Sequence, residues 1–239
     1  MLNMTKSNYV FTLENLELEY LKALNAGYKI ITCKEYFFNP SEFVNDKILI
    51  NRIDIDYSIS EAVEFDNIFK KLGINGSFFI RLHSKEYNPF SLENYQIVKG
   101  LIESGNEIGY HSEVIDQSSL WGEEEERCLM KDIEILNSMF DISVEGVASH
   151  GGNTGFNNLD FWKNRETNDF GLLYEAYDCF EDAFYISDSE WINWKCYDNG
   201  NLVKGDHRSL SEHISDDHFL IYFLIHTDTY SEYNVKNLA

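Results

Sequence analysis

Two hydrophobic periods run along the chain, one typical of helices and one typical of buried strands. Leucines recur at helical spacing over Thr12–Ala26 and Gly27 follows them, which predicts a first helix that ends at this glycine. The run Ile48-Leu49-Ile50 is the kind of β-branched stretch found in buried parallel strands, and we expect the strand to extend to Asp56. Alternation of such strands with helices predicts an α/β fold.

The same two patterns predict the remaining elements. Further strands are expected at Tyr28–Cys33, Gly76–Leu82, Glu107–His111, Val144–Ser149, Leu172–Ala176, Ala183–Ser187 and Phe219–His226. Further helices are expected at Ser60–Leu72, Leu92–Ser104 and Glu123–Phe140, with a connector over Lys34–Asn45 and a hairpin over Trp191–Val203. This order predicts a parallel barrel or open sheet with helices outside, in one domain over residues 1–239: an N-terminal helix in 1–27 and the barrel in 28–230.

Composition narrows the classes of function. The 239 residues are 44% hydrophobic and 15% aromatic, as in a folded globular protein. With 41 acidic residues against 19 basic ones, the net charge of −22 argues against nucleic acid or an anionic membrane as a partner. We expect no membrane span and, since the N-terminus lacks the pattern of a secretory signal, a cytoplasmic protein. The four cysteines show no CxxC spacing and predict free thiols.

Charged side chains follow the predicted strands at their carboxyl ends. Asp54 and Asp56 are two positions apart, so they project to the same side of their strand. The later strands run into Arg81 and His83, His111 and Glu113, His150, Asp188, and finally His226 and Asp228. Because the active sites of barrel folds gather at the carboxyl ends of their strands, these residues predict a catalytic site.

Taken in order, these motifs resemble the polysaccharide deacetylase family, of the carbohydrate esterase family four type. The resemblance extends from Tyr28 to Tyr230 and is carried by the segments 52–58, 77–84, 105–113, 148–151, 186–191 and 224–226. It is strongest to a divergent bacterial branch with an Arg-x-Asp-x-Asp first motif, often encoded with surface-polysaccharide biosynthesis. The resemblance implies a distorted (β/α) barrel of about seven strands, with a divalent metal, usually zinc, at its mouth.

The resemblance also implies roles for five residues. Asp54 matches the general base, and Asp56 and His111 match two metal ligands. His226 matches the general acid that protonates the leaving amine, and Asp188 matches the carboxylate that orients this histidine.

One position departs from the family pattern. Ile115 stands where the family has its second metal-binding histidine, and an isoleucine cannot bind zinc. The missing ligand must come from elsewhere, and we prefer His150, with Glu113 as the second choice. Asp56, His111 and His150 together would form a three-ligand catalytic zinc site with one position open to water.

Substrate contacts are predicted at four residues. Arg81 could pair with Asp54 or hold a substrate carboxylate, His83 could contact a sugar, Trp191 could stack on a sugar ring, and Glu113 lies in the same motif as His111.

Three functions follow from these interpretations. The first is a metal-dependent hydrolase that removes an N-acetyl or N-formyl group from an amino sugar, either a small molecule or linked to a lipid or nucleotide. The second is a hydrolase of the same fold that acts on a non-sugar amide or imide, which a carboxylate clamp at Arg81 would favour. The third is a metal-free carbohydrate-binding or complex-forming subunit, which the absence of a histidine at Ile115 leaves open.

Overall fold

A computed structural model describes residues 9–189 and 193–230, which form a mixed α/β fold. The α-helices are α1 (Leu13–Asn25), α2 (Cys33–Phe38), α3 (Ala62–Leu72), α4 (Leu92–Glu103), α5 (Val114–Trp121), α6 (Glu125–Phe140) and α7 (Leu210–His213). The strands are β1 (Tyr28–Ile31), β2 (Lys47–Ile55), β3 (Ser77–Ile80), β4 (Glu107–Ser112), β5 (Gly146–Ser149), β6 (Tyr174–Glu175), β7 (Phe184–Ser187), β8 (Lys195–Asp198), β9 (Asn201–Leu202) and β10 (Leu220–His226). Short 3₁₀ turns occur at Pro40–Phe43, Asn158–Asn164, Thr167–Phe170, Ile214–Asp216 and Thr227–Tyr230.

All of these strands join one sheet, in the order β6-β5-β4-β3-β2-β10-β7-β8-β9, with β1 beside β2. The seven strands from β6 to β7 in this order are paired in parallel, and β8 and β9 continue the sheet as an antiparallel hairpin. Strand β1 is also parallel to β2, so eight of the described strands are paired in parallel. This arrangement confirms the α/β class and agrees with the barrel of about seven strands that the resemblance implies.

Alternation along β2 separates an inner face of the sheet from an outer face. Ile48 and Ile50 point inward, where they pack with Tyr174 of β6 and Tyr185 of β7. Because β6 and β7 are the two ends of the parallel set, this shared cluster shows that the sheet curls on itself into a distorted barrel. Because side chains continue to alternate along β2, Arg52 and Asp54 lie on the same inner face as Ile48.

The outer face of the sheet packs against the helices. Leu49, Ile53 and Ile55 are fully buried there, in one core with residues of α1, α3, α4 and α6. Each such side chain contributes roughly 1.5–3 kcal/mol relative to an exposed position. Among the described residues, no helix has the length and apolar character needed to cross a membrane.

Three α-helices of the described residues were not predicted from the sequence: α2, α5 and the four-residue α7. The expected connector after β1 contains α2, which begins with a capping box: Thr32 accepts from the Glu35 backbone N–H, and the Glu35 carboxylate accepts from that of Thr32. Helix α5 starts directly after Glu113 and ends at Gly122, whose φ of 70° suits a left-handed helix cap. The following helix, α6, therefore begins at Glu125 rather than at Glu123.

Candidate active site

The carboxyl ends of β2, β4, β5 and β10 meet at one open cavity of about 350 Å³. In the parallel register of β2 and β10, His226 lies directly opposite Asp54. In that of β4 and β5, His111 lies opposite Ala148, and His150 follows two positions later. The lining residues are Asp54, Asp56, His111, Ser149, His150, Gly151, Tyr177, Phe180, Tyr185, Ser187, Ser189, Tyr197, Leu224 and His226.

A buried ion pair holds Asp54. Arg52 Nε donates to Asp54 Oδ1 at 2.9 Å, and Arg52 Nη2 donates to Asp54 Oδ2 at 2.8 Å. The guanidinium also lies 4.7 Å from the centre of the Tyr177 ring. Burial by itself raises the pKa of Asp54, but the charge and hydrogen bonds of Arg52 together with the charges of His111 and His226 outweigh burial and lower it, which keeps the group a carboxylate at neutral pH.

Pairing with Asp54 was one of the two roles predicted for Arg81, and in the structure Arg52 is the residue that pairs with Asp54. Arg81 Nη2 instead donates to Glu113 Oε1 at 2.7 Å, and Arg81 Nη1 donates to the backbone carbonyl of Asp56 at 3.2 Å. The signal for Arg52 was present in the sequence, because residues 52, 54 and 56 share one face of the strand.

The three predicted metal ligands come together at the cavity. His111 Nε2 lies 3.4 Å from Asp56 Oδ1, and His150 Nε2 lies 3.8 Å from the same oxygen. Potential ligand atoms of Asp56, His111 and His150 all lie within 4.8 Å of one another. Ligands held at about 2.0–2.1 Å around one tetrahedral zinc are roughly 3.3 Å apart, so a modest contraction would bring this set to zinc geometry.

The surroundings of these ligands suit a cation. Asp56 Oδ1 is buried and makes no hydrogen bond with the described residues, so it retains lone pairs for a metal. His111 Nδ1 lies 2.8 Å from the carbonyl oxygen of Ala148; since a carbonyl only accepts, Nδ1 carries a proton, which leaves Nε2 as the nitrogen that can bind a metal. Burial lowers the pKa of His111, but Asp54 and Asp56 outweigh burial and raise it, so the local potential attracts positive charge.

His226 and Asp188 form a second couple at the cavity. His226 Nδ1 is 2.6 Å from Asp188 Oδ1, and the backbone N–H of His226 donates to Asp188 Oδ2 at 3.0 Å. Burial disfavours the imidazolium ion, but Asp188, with Asp54 and Asp56, raises the pKa of His226 to about 10. His226 therefore carries a proton at neutral pH and can donate it.

Glu113 lies behind His150 and outside the lining of the cavity. Its Oε1 is 3.5 Å from His150 Nδ1, while His150 Nε2 faces Asp56. Burial and the charge of His111 lower the pKa of His150 to about 4, so this imidazole is neutral, as a metal ligand must be. Glu113 thus faces the ring nitrogen remote from Asp56 and is also bound by Arg81.

His83 lies apart from these residues. Its Nε2 is 2.8 Å from Asp132 Oδ2, an oxygen that also accepts from Gln117, and its ring packs edge-on against Trp121. This network joins the β3 end to α5 and α6, and His83 does not line the cavity. The predicted sugar contact at Trp191 falls outside the described residues.

Four aromatic residues that the sequence analysis did not assign to the site form one wall of the cavity: Tyr177, Phe180, Tyr185 and Tyr197. Phe180 lies 4.9 Å from Tyr185 and 5.1 Å from Tyr197, measured between ring centres. Because they lie in a loop and on neighbouring strands at different sequence separations, no periodic pattern marks them as one surface.

A buried carboxylate connects this wall to the metal-ligand side. Glu175 Oε1 accepts from the backbone N–H of Ser149 at 2.9 Å, next to His150, and Glu175 Oε2 accepts from that of Tyr177 at 2.6 Å. Glu175 therefore positions both the end of β5 and Tyr177, whose ring lies against the Arg52 guanidinium.

The structure also accounts for Ile115. Helix α5 begins at Val114, and Ile115 packs against the outer hydrophobic core. The backbone N–H of Ile115 donates to the side chain of Asn158 at 3.0 Å. Position 115 therefore serves the packing of α5, while His150 from the neighbouring strand lies beside Asp56.

No family model matches this sequence, and no curated protein matches it. Solved structures with a similar chain path include a family 4 carbohydrate esterase from Bacillus anthracis, with 15% identity, a TM-score of 0.47, and 93% of this chain and 82% of that chain covered. IcaB from Ammonifex degensii has 15% identity, a TM-score of 0.48, and coverage of 68% of this chain and 72% of that chain.

A third similar structure is a CE4 family pseudoenzyme from Bacillus anthracis, with 14% identity, a TM-score of 0.47, and 81% of this chain covered. This chain spans 61% of the length of that protein and 63% of a mutant with restored activity. At such identities the comparison concerns chain path, and residue roles must follow from this chain's own contacts.

Proposed function

We propose that this protein is a metal-dependent deacetylase that removes an N-acetyl or N-formyl group from an amino sugar. The observation that carries the proposal is the convergence of Asp56, His111 and His150 beside a buried carboxylate, Asp54, and a protonated histidine, His226, at one cavity. Amide hydrolysis needs each of these parts: an electrophilic centre, a base for water and an acid for the leaving amine.

The ligand set suits Zn²⁺, because two imidazoles and one carboxylate are typical of catalytic zinc sites. A cation held by Asp56, His111 and His150 would polarise the acyl carbonyl and acidify water. Glu113, 3.5 Å from His150 Nδ1, orients this ring as carboxylates behind metal-binding histidines commonly do.

Asp54 and His226 each carry out one of the two proton transfers. Asp54, oriented by two hydrogen bonds from Arg52, accepts a proton from the attacking water. His226, oriented by Asp188, donates its proton to the nitrogen of the departing amine. General acid–base catalysis of this kind contributes roughly 10²–10⁴-fold to a rate.

The lining of the cavity supports an uncharged sugar as the group that enters it. Among the lining residues that the structure describes there is no lysine or arginine, and four aromatic rings offer apolar faces. If the substrate is linked to a nucleotide or a lipid diphosphate, these phosphates remain outside the cavity. We infer a role in bacterial surface-polysaccharide biosynthesis, where such amino sugars are modified.

A carboxylate clamp at Arg81, which would favour a non-sugar amide, finds no support. Arg81 is occupied by Glu113 at 2.7 Å and does not line the cavity.

The test is acetate or formate release from N-acetylated and N-formylated hexosamines, as monosaccharides and short oligosaccharides, by zinc-loaded protein. We expect Asp54→Asn to lower the rate by roughly 10²–10⁴-fold while zinc content, measured by plasma mass spectrometry, is retained. Because Asp54→Asn removes the carboxylate partner of buried Arg52, His226→Gln serves as a second variant that leaves this ion pair intact. Wild-type rates in both variants would contradict the proposal.

A further inference from the structure

We propose that the chain holds a second zinc ion, in a structural site formed by Cys196, Asp206 and His213. Cys196 lies on β8, Asp206 on the loop after β9, and His213 at the end of α7. Their potential ligand atoms all lie within 4.8 Å of one another. The three residues share no member with the candidate active site, so this proposal is independent of the proposed function.

The separations between these atoms agree with zinc coordination. His213 Nε2 lies 3.4 Å from Cys196 Sγ and 3.5 Å from Asp206 Oδ1. Zinc binds sulfur at about 2.3 Å and nitrogen or oxygen at about 2.0–2.2 Å, so tetrahedral ligands stand roughly 3.3–3.6 Å apart. Cys196 and His213 are fully buried, as the ligands of a structural zinc site usually are.

A second carboxylate orients His213 for this role. His213 Nδ1 makes no hydrogen bond with the described residues, but it faces Asp216 Oδ2 at 3.4 Å. With the ring proton on Nδ1, toward Asp216, the lone pair of Nε2 points at Cys196 and Asp206. This is the carboxylate–histidine–zinc arrangement, in which a carboxylate selects the tautomer of the ligand.

Arg208 fixes both carboxylates. Its Nη2 donates to Asp206 Oδ2 and its Nη1 donates to Asp216 Oδ2, both at 2.8 Å. Asp206 Oδ1, which lies 3.5 Å from His213 Nε2, also accepts from the backbone N–H and from Nε of Arg208, both at 3.1 Å, so zinc binding at Oδ1 would displace one of these two longer hydrogen bonds.

Formal charges favour a bound dication. With a neutral thiol and a neutral imidazole, Asp206, Asp216 and Arg208 sum to one negative charge. A zinc ion together with a Cys196 thiolate brings the sum to zero.

The site would join the β8–β9 hairpin to α7. Tyr197 follows Cys196 and lines the active-site cavity, and β8 pairs with β7, which leads to Asp188. We therefore assign the second zinc a structural role, in which it holds one wall of the cavity.

The first experiment uses the wild-type protein only. Zinc-edge X-ray absorption of the full chain, loaded with excess zinc and then desalted, should show about two zinc ions per chain. It should also show zinc–sulfur scattering at about 2.3 Å, corresponding to one sulfur for every two zinc ions. A spectrum with nitrogen and oxygen ligands alone would overturn the proposal.

The second experiment locates the sulfur by cobalt substitution. Protein freed of zinc and reloaded with Co²⁺ should show a thiolate-to-cobalt charge-transfer band in the near ultraviolet. Cys196→Ser should abolish this band and release one of two cobalt ions, whereas the matched control Cys128→Ser, at a buried cysteine of α6, should retain both.

His111→Ala separates this proposal from the proposed function. It should remove the other cobalt ion and leave the charge-transfer band unchanged. A band that survives Cys196→Ser, or a metal content that Cys196→Ser does not change, would refute the second site. Loss of the band only in His111→Ala would do the same.

Discussion

Two histidines that line the same cavity have opposite acid–base character. His226 is 2.6 Å from Asp188, and its pKa is raised to about 10. His150 is 3.5 Å from Glu113, and its pKa is lowered to about 4. Both histidines are largely buried and both have a carboxylate behind Nδ1, so neither burial nor the type of partner explains the difference.

The difference comes from the charges around each couple. Asp188 contacts His226 through both carboxylate oxygens, and Asp54 and Asp56 add to its negative charge. Glu113 is engaged by Arg81 at 2.7 Å, and the positive charges of His111 and Arg81 act on His150. One environment thus yields a proton donor and the other a free lone pair, the division of roles that amide hydrolysis on a metal requires.

Asp188→Asn should change the difference between the pKa values of His226 and His150 the most. Without the Asp188 carboxylate, the pKa of His226 falls toward or below its ordinary value of about 6.5, and the histidine is neutral at pH 8. We expect deacetylation at pH 8 to fall by roughly 10²–10⁴-fold and the alkaline limb of the pH–rate profile to move to lower pH. An unchanged alkaline limb would show that His226 is not the acid.

Glu113→Gln should affect His150 and leave the alkaline limb of the pH–rate profile unchanged. Loss of the carboxylate behind His150 should weaken zinc binding by roughly 10–100-fold, as measured by competition with a chelator. The pH–rate profile of the zinc-saturated variant is the control, because Glu113 does not contact His226. A shifted alkaline limb in this variant would contradict the separation of the two couples.

The smallest effect concerns stability. The folded-state pKa of His226 lies above its unfolded value, so the stability it contributes is complete below about pH 6.5 and is lost as pH rises through about 10. For zinc-free protein we expect this contribution to decline by roughly 2–3 kcal/mol between pH 7 and 9. Urea unfolding at both pH values measures it.

His226→Gln is the matched control for this last experiment. Groups other than His226 titrate alike in both proteins, so the difference between their unfolding free energies isolates the histidine. If the variant loses as much stability between the two pH values as the wild type does, the pKa of His226 is not raised.

Much of the site could be predicted because strand ends are readable in the sequence. The positions Asp54, Asp56, His111, His150 and His226 follow apolar runs, and the parallel sheet brings the ends of such runs to one edge. The pairing of Arg52 with Asp54 was missed although both lie on one face of β2, because alternation shows which side chains share a face but not which of them bind each other. Helix α5 was missed because it is short and follows the motif directly.

The sequence by itself determined the α/β class and the end of the strands that carries charge, since periodicity sets the direction of each side chain. Only the tertiary structure decided which charges meet. In the folded chain Glu113 pairs with Arg81, His83 contacts Asp132, and Cys196 lies beside His213. The reason is physical: hydrogen bonds and ion pairs act over about 3 Å, and distances between separate elements depend on how they pack.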